Sequence, residues 1–227
     1  QNLLNDTTRQ AVFTHYVKDE MDVRGIIMFA FRLGNLWHEK DIHPLLHTFT
    51  LLPYLPTPFV LFQDLLEIEE KTAITQLQTD LDFLVRQGWI QQTAENTLEI
   101  EGKGYMMHAV IQASIQAQLH FTTAQTQDKI DILRSIAWYF YEQNPITAQV
   151  YLPYLQYLQQ KNIAENETKA WLNNIIATLY RTMGNYTLSL ELFQESVNIL
   201  EQILDYEHPD KASIYLSLIH ISEPTRP

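Results

Sequence analysis

The sequence predicts a mainly α chain: a winged helix-turn-helix unit with a small β-hairpin, followed by an α-solenoid of helical pairs. Three observations predict it. Only six glycines occur in 227 residues, and the apolar residues recur mostly at helical spacing. Between about 41 and 120 the segments read in the order helix, helix, helix, hairpin, helix. From Asp128 onward the chain reads as helical pairs that repeat. Ile136-Ala137 with Phe140 is echoed by Ile176-Ala177 with Tyr180 at an offset of 40, and Thr168-Lys169-Ala170 by Asp210-Lys211-Ala212 at an offset of 42. Two-helix repeats of this length stack so that each hairpin buries its apolar face against its neighbours.

Taken in order, Asp6-Thr7 can cap a helix whose apolar face holds Val12, Phe13 and Tyr16. Val23–Trp37, with Ile26, Ile27, Phe29, Ala30 and Leu33, reads as a buried helix ending near Gly34-Asn35. A third helix is expected from about Asp41 to Leu52, stopped by the Pro-rich stretch Pro53–Pro58. Phe59–Leu66 reads as a short helix. Thr72–Gln87 reads as an amphipathic one, because Ile74, Leu77, Leu81 and Leu84 fall on one face. Gly88 ends it as a left-handed cap would. Strands are expected at Trp89–Gln92 and Thr97–Glu101, joined by the polar turn Ala94-Glu95-Asn96. Gly102-Lys103-Gly104 is expected to turn, and Tyr105-Met106-Met107-His108 to enter a helix that runs to about Leu119.

Composition narrows the function. The net charge of −12 argues against a general binder of nucleic acid or anionic membrane. Within 41–120 the only basic residues are Lys71, Arg86 and Lys103, and a recognition helix carrying Asp80 and Asp82 would repel phosphates. No nucleic-acid partner is expected. With no cysteine, a disulfide scaffold, a Cys-based zinc site and thiol catalysis are excluded, and a cytoplasmic location is expected. The longest charge-free apolar stretch, His47–Phe62, is broken by three prolines, so neither a membrane span nor membrane association is expected. No signal peptide is visible, and a chain opening at Gln1 reads as an internal fragment.

Trp171–Leu204 resembles a tetratricopeptide repeat in the longer form found in kinesin light chain-like proteins. The matching residues are Asn173-Asn174, Ala177, Tyr180, Gly184, Tyr186, Ser189, Phe193 and Ser196. Small Ala177, Ser189 and Ser196 suit close helix approach, and Tyr180, Tyr186 and Phe193 suit the space between helices. This copy has serine at two positions where the family usually has alanine. Tyr206-Glu207-His208-Pro209-Asp210 resembles the family's connector between repeats. The middle segment is similar to the winged-helix domain of signalling ATPases of the NB-ARC or STAND type, over Leu77–Ile90 and Tyr105–Leu119. In that family a Met-His-Asp motif opens the last helix. Met107-His108 match it, and Ala109 stands where the aspartate would be.

These resemblances imply the following organisation. Residues 1–40 close a helical region before the winged helix of 41–120. A degenerate helical repeat or linker fills 121–165, and a truncated tetratricopeptide region occupies 166–215. Leu216–Arg226 resembles the translation of a transposase adaptor from sequencing libraries, so 216–227 reads as an artefact. The implied function is the regulatory and protein-binding fragment of a nucleotide-dependent signalling protein. Its repeats would sense a peptide or protein partner, and the winged helix would relay that event to an ATPase core. The resemblance also allows self-assembly of the full-length parent. Two rivals stand beside this reading: a tetratricopeptide scaffold without nucleotide function, and a winged-helix transcription regulator.

The chemistry expected of the fragment is sparse. Gly102-Lys103-Gly104 lacks the glycine spacing of a phosphate-cradling loop. The fragment is therefore expected not to be an enzyme, to have no catalytic residues and to hold no cofactor, with ADP or ATP left to the parent. The resemblance implies that His108 touches the β-phosphate of bound ADP. His38, His43 and His47 invite a metal reading, but Pro44 stands in the place of the glutamate of an HExxH motif and no third ligand is evident. No metal is expected. In the aromatic run Trp138-Tyr139-Phe140-Tyr141, with Tyr151, Tyr154 and Tyr157, core packing is expected for most. Tyr154 and Tyr157 are expected to face out and meet a partner.

Overall fold

The computed structural model describes residues 40–93, 103–119, 121–161 and 166–203. The two helices expected before position 40, the strand expected over 97–101, the 206–210 connector, the second copy at Asp210-Lys211-Ala212 and the 216–227 tail lie outside the described residues. The chain divides into two compact units, Gln1–Phe121 and Thr122–Pro227.

In the first unit a 3-10 turn over Lys40–Ile42 leads into α1 (His43–Leu51). Pro44 is tolerated in the first turn, where its missing N–H would have no intrahelical acceptor. From Leu45 to Leu51 every residue is buried. Thr48 and Thr50 can be buried because their hydroxyls donate to the carbonyls of Pro44 at 3.0 Å and His47 at 2.7 Å. The Pro53 stop leaves the last carbonyls of α1 short of i+4 partners, and the Leu52 N–H reaches back to Phe49 O at 3.3 Å. α4 (Ala109–Gln118) supplies further donors. Gln112 Nε2 donates to Phe49 O at 2.8 Å and to Leu52 O at 2.9 Å, and Gln116 Nε2 to Thr50 O at 3.3 Å.

The Pro-rich stretch does more than stop α1. It forms β1 (Thr57–Pro58) before α2 (Phe59–Leu65) and α3 (Lys71–Arg86). The face expected of α3 is buried at Leu77, Leu81 and Leu84, while Ile74 is half-buried. Gly88, at φ 76, ends α3 as expected, with Trp89 N–H returning to Leu84 O at 3.0 Å. β2 (Gln91–Thr93) and β3 (Gly104–Met106) follow. The sheet order is β1-β3-β2 with both pairings antiparallel, so Tyr105 lies opposite both Thr57 and Gln92. Pro58 sits on an edge strand, where a missing donor is harmless.

β3 corrects the expectation that Gly104 turns and Tyr105–His108 enters a helix. Tyr105 and Met107 are both fully buried, and side chains two apart share a face in extended chain but not in a helix. The Tyr105 hydroxyl accepts from Gln78 Nε2 at 2.8 Å. Its ring meets Phe62 edge-on at 6.3 Å, and Phe62 meets Phe49 at 4.7 Å. One aromatic column thus joins β3, α2 and α1.

In the second unit α5 (Thr123–Gln143) begins five residues before Asp128, at a capping box. Gln125 N–H donates to Thr122 Oγ1 at 3.2 Å and Thr122 N–H to Gln125 Oε1 at 3.0 Å. A 3-10 turn (Thr147–Tyr151), α6 (Leu152–Lys161), α7 (Asn166–Thr182) and α8 (Tyr186–Ile203) complete it. Gly184, at φ 76, makes the α7–α8 turn, with Asn185 N–H on Tyr180 O at 2.9 Å. Ala170 and Ala177 of α7 pack on Phe193 and Leu200 of α8. Ser189 and Ser196 do more than stay small: Ser189 Oγ donates to Ala177 O and Ser196 Oγ to Ala170 O, each at 2.7 Å.

α5 and α7 are bridged at two levels. The Arg134 guanidinium lies over the Trp171 ring at 6.0 Å, and Arg181 Nη2 donates to the Tyr141 hydroxyl at 3.2 Å, 40 residues away in sequence. Both pairs ascend together, so the two helices run in the same direction. Ala137 and Ala177, matched by the internal offset of 40, are both fully buried. α6 runs the other way against α7: Gln159 Nε2 donates to Asn173 Oδ1 at 2.8 Å, and Gln156 to the Tyr180 hydroxyl.

Candidate functional site

The repeat unit and the His108 junction belong to different units, and each offers its own candidate. On α5, Arg134, Trp138 and Tyr141 stand at i, i+4 and i+7, which puts them on one helix face. Trp138 is 39% exposed and Tyr139 59%. Trp138 donates its indole N–H to Glu142 Oε1 at 2.9 Å and lies 5.6 Å from the Tyr141 ring. The phenol of Tyr141 in turn receives Arg181 of α7. Sequence reasoning missed this strip because it treated the aromatic run as core; the i, i+4, i+7 spacing shared with an arginine was the available signal.

The expectation for Tyr154 is corrected. Tyr154 is 2% exposed and lies on the inward stripe of α6 with Leu155 and Leu158, so it packs in the core and does not face out. Tyr157 is half-buried, with the Lys161 ammonium 5.1 Å from its ring centroid. It leaves part of an aromatic edge at the surface.

His108 is the N-cap of α4 and is exposed. Val110 N–H donates to its Nδ1 at 3.2 Å. An acceptor nitrogen carries no proton, so the neutral ring bears its proton on Nε2 and offers a donor away from the helix. The Tyr54 ring meets the imidazole edge-on at 5.1 Å, and the Tyr54 hydroxyl donates to Gln91 Oε1 at 3.4 Å. A residue of the Pro-rich stretch and one of β2 therefore hold the junction from the side.

His47 is buried and stacks on Phe121 at 3.9 Å, while His43 is half-buried. Among the described residues no group of three or more His, Asp or Glu is placed to hold a metal ion, and His38 lies outside them. On α3, burial raises the Asp80 pKa above its ordinary 3.8, a hydrogen bond from Gln76 opposes that, and the Asp41 charge adds to it. Among the described residues no helix is long and apolar enough to cross a membrane.

No curated protein and no solved structure matches the chain. Residues 168–218, which take in α7 from Thr168 onward and all of α8, are similar to the tetratricopeptide repeat family and match its model.

Proposed function

We propose that the chain is the regulatory and protein-sensing part of a nucleotide-dependent signalling protein of the STAND type. Residues 41–120 act as its winged-helix relay and the helical pairs beyond as its sensor. The observation that carries the sensor role is the repeat match over 168–218, since stacked helical pairs present surfaces on which peptides and proteins dock. The relay role rests on the resemblance around Met107-His108. It is supported by a three-stranded antiparallel sheet that ends one residue before the Met107-His108 pair and by an outward-facing Nε2 donor on His108.

In this reading a longer parent chain supplies the P-loop and the ATPase core, and this part hydrolyses nothing by itself. ADP lies against the relay unit in the resting state. The neutral imidazole of His108 donates a hydrogen bond to the β-phosphate without needing a charge, and partner binding to the repeats shifts the balance toward a state lacking that contact. The test is ADP release from the full-length parent, followed with a fluorescent ADP analogue. His108→Ala should speed release about tenfold, the loss of one hydrogen bond to a charged group. Unchanged release would remove His108 from the mechanism.

A scaffold without nucleotide function is the second reading, favoured by the repeat match standing alone. It is distinguished by a full-length product that takes up no nucleotide.

A further inference from the structure

Ser, Thr, Asp and Asn are the strong N-caps of helices, yet the cap of α4 is a histidine. Ile111 and Gln112 donate their N–H groups to the His108 carbonyl at 2.9 and 3.1 Å. Val110 N–H goes instead to the His108 side chain, at Nδ1. The imidazole is exposed, and an exposed side chain held in one rotamer gives up conformational freedom. The contact that compensates is the Tyr54 ring, which meets the imidazole edge-on at 5.1 Å.

Tyr54 is presented by a segment with little freedom of its own. Pro53 and Pro56 fix φ on either side of it, and Leu55 N–H returns to Pro53 O at 2.7 Å, a three-residue turn centred on Tyr54. The segment is tied at both ends to the elements that His108 joins. Gln112 of α4 holds Leu52 O at 2.9 Å, and Thr57 pairs with Tyr105 of β3. The Tyr54 hydroxyl donates to Gln91 Oε1 at 3.4 Å, and Gln91 pairs with Met106, two residues before His108. Tyr54 itself is 42% exposed, so core packing does not account for its place. We propose that Tyr54 is a positioning residue for His108: its ring keeps the imidazole on Val110 N–H, which holds the ring proton on Nε2 and aims that donor in one direction. This deepens the nucleotide-relay reading above and rests on it, because the donor assigned to the ADP β-phosphate then has a fixed aim before nucleotide arrives.

The first measurement uses the whole chain without nucleotide, at about pH 8, where an imidazole is neutral. Water exchange of the Val110 amide, followed by NMR, reads the cap, with the Ile111 amide as internal reference. The ring-nitrogen shifts of isotope-labelled His108 read the tautomer. Tyr54→Ala should speed Val110 exchange about fivefold, the worth of one edge-on ring pair, and leave Ile111 unchanged. The two His108 nitrogen shifts should draw together as the proton divides between Nδ1 and Nε2. Tyr54→Phe keeps the ring and should retain most of the protection. Gln91→Ala removes the same long hydrogen bond and should match Tyr54→Phe within about twofold. In the full-length parent, Tyr54→Ala should speed ADP release, and the double variant with His108→Ala should be no faster than His108→Ala alone. Unchanged Val110 exchange in Tyr54→Ala overturns the proposal, and so does equal acceleration of Val110 and Ile111, the mark of a loosened helix end. ADP release that responds to His108→Ala and not to Tyr54→Ala overturns it as well. If neither substitution alters release while the Val110 effect holds, the ADP contact falls and the positioning of His108 by Tyr54 stands.

Discussion

Glu67, between α2 and α3, has φ 55, a left-handed conformation that costs an L side chain about 1 kcal/mol or more. Glu67→Gly should therefore raise stability by roughly 0.5–1 kcal/mol in denaturant unfolding, with the slope unchanged. Gly184 is the mirror case. Nothing lies within 4 Å of a Cβ built there, so Gly184→Ala costs only backbone strain, about 1 kcal/mol. Asp80 yields a prediction in pH. Its pKa is raised by burial and by Asp41, so its ionisation opposes folding. The folded state binds this proton more tightly than the unfolded chain does. The group therefore favours folding fully below its ordinary value of 3.8, and that contribution is lost as the pH rises through the raised folded value. Asp80→Asn should thus raise the Tm at pH 7, and the gain should fade as the pH falls to 4 and below. A gain constant across that range would show that packing, and not charge, is responsible. At this scale Gly88 was legible as a helix end, but Glu67 was not, because nothing in its chemistry announces a positive φ.

Helices came out of periodicity and punctuation. Leu77, Leu81 and Leu84 marked α3, and Gly88 marked its end. The strands were harder to read because their pairing depends on residues far away in sequence. β3 spans three residues, and Tyr105 is held there by Gln78 and Phe62, neither of which a local pattern connects to it. β1 was hidden for the same reason behind its prolines. Tyr154 was misplaced because aromatic spacing does not say which side of α6 the neighbouring helices cover. Two element-level devices carry measurable stability. Gln112 closes α1 by donating to Phe49 O and Leu52 O; Gln112→Leu leaves those buried carbonyls short of a donor and should cost about 1–3 kcal/mol. On the α7–α8 seam, Ser189→Ala should cost only about 0.5–1 kcal/mol, the net worth of one hydrogen bond. Ser189→Val adds bulk at a fully buried contact and should cost roughly 1–3 kcal/mol. The order Ser, Ala, Val in melting temperature checks both causes at once. The internal offset of 40 was readable from sequence, and the Arg181–Tyr141 bond spans that same distance; the hydroxyl bonds across the seam were not readable.

At the scale of the whole molecule the chain joins two units of different architecture. One is built around a nearly fully buried α1 and a small sheet, the other from helical pairs. Two chemical features stand out among the described residues: an imidazole whose cap bond directs its proton outward, and a guanidinium that meets a phenol and no carboxylate. The net negative charge was legible from composition, and the repeat character of 168–218 from its residue pattern. The proposal that unites the two units is nucleotide-dependent signalling, and nucleotide content tests it most directly. The full-length gene product should be purified without added nucleotide, denatured, and its extract resolved by ion-exchange chromatography. The account predicts ADP in stoichiometric amount with the wild-type chain and a marked deficit with His108→Ala. A wild-type protein that carries no nucleotide and takes up none from millimolar ADP would contradict it.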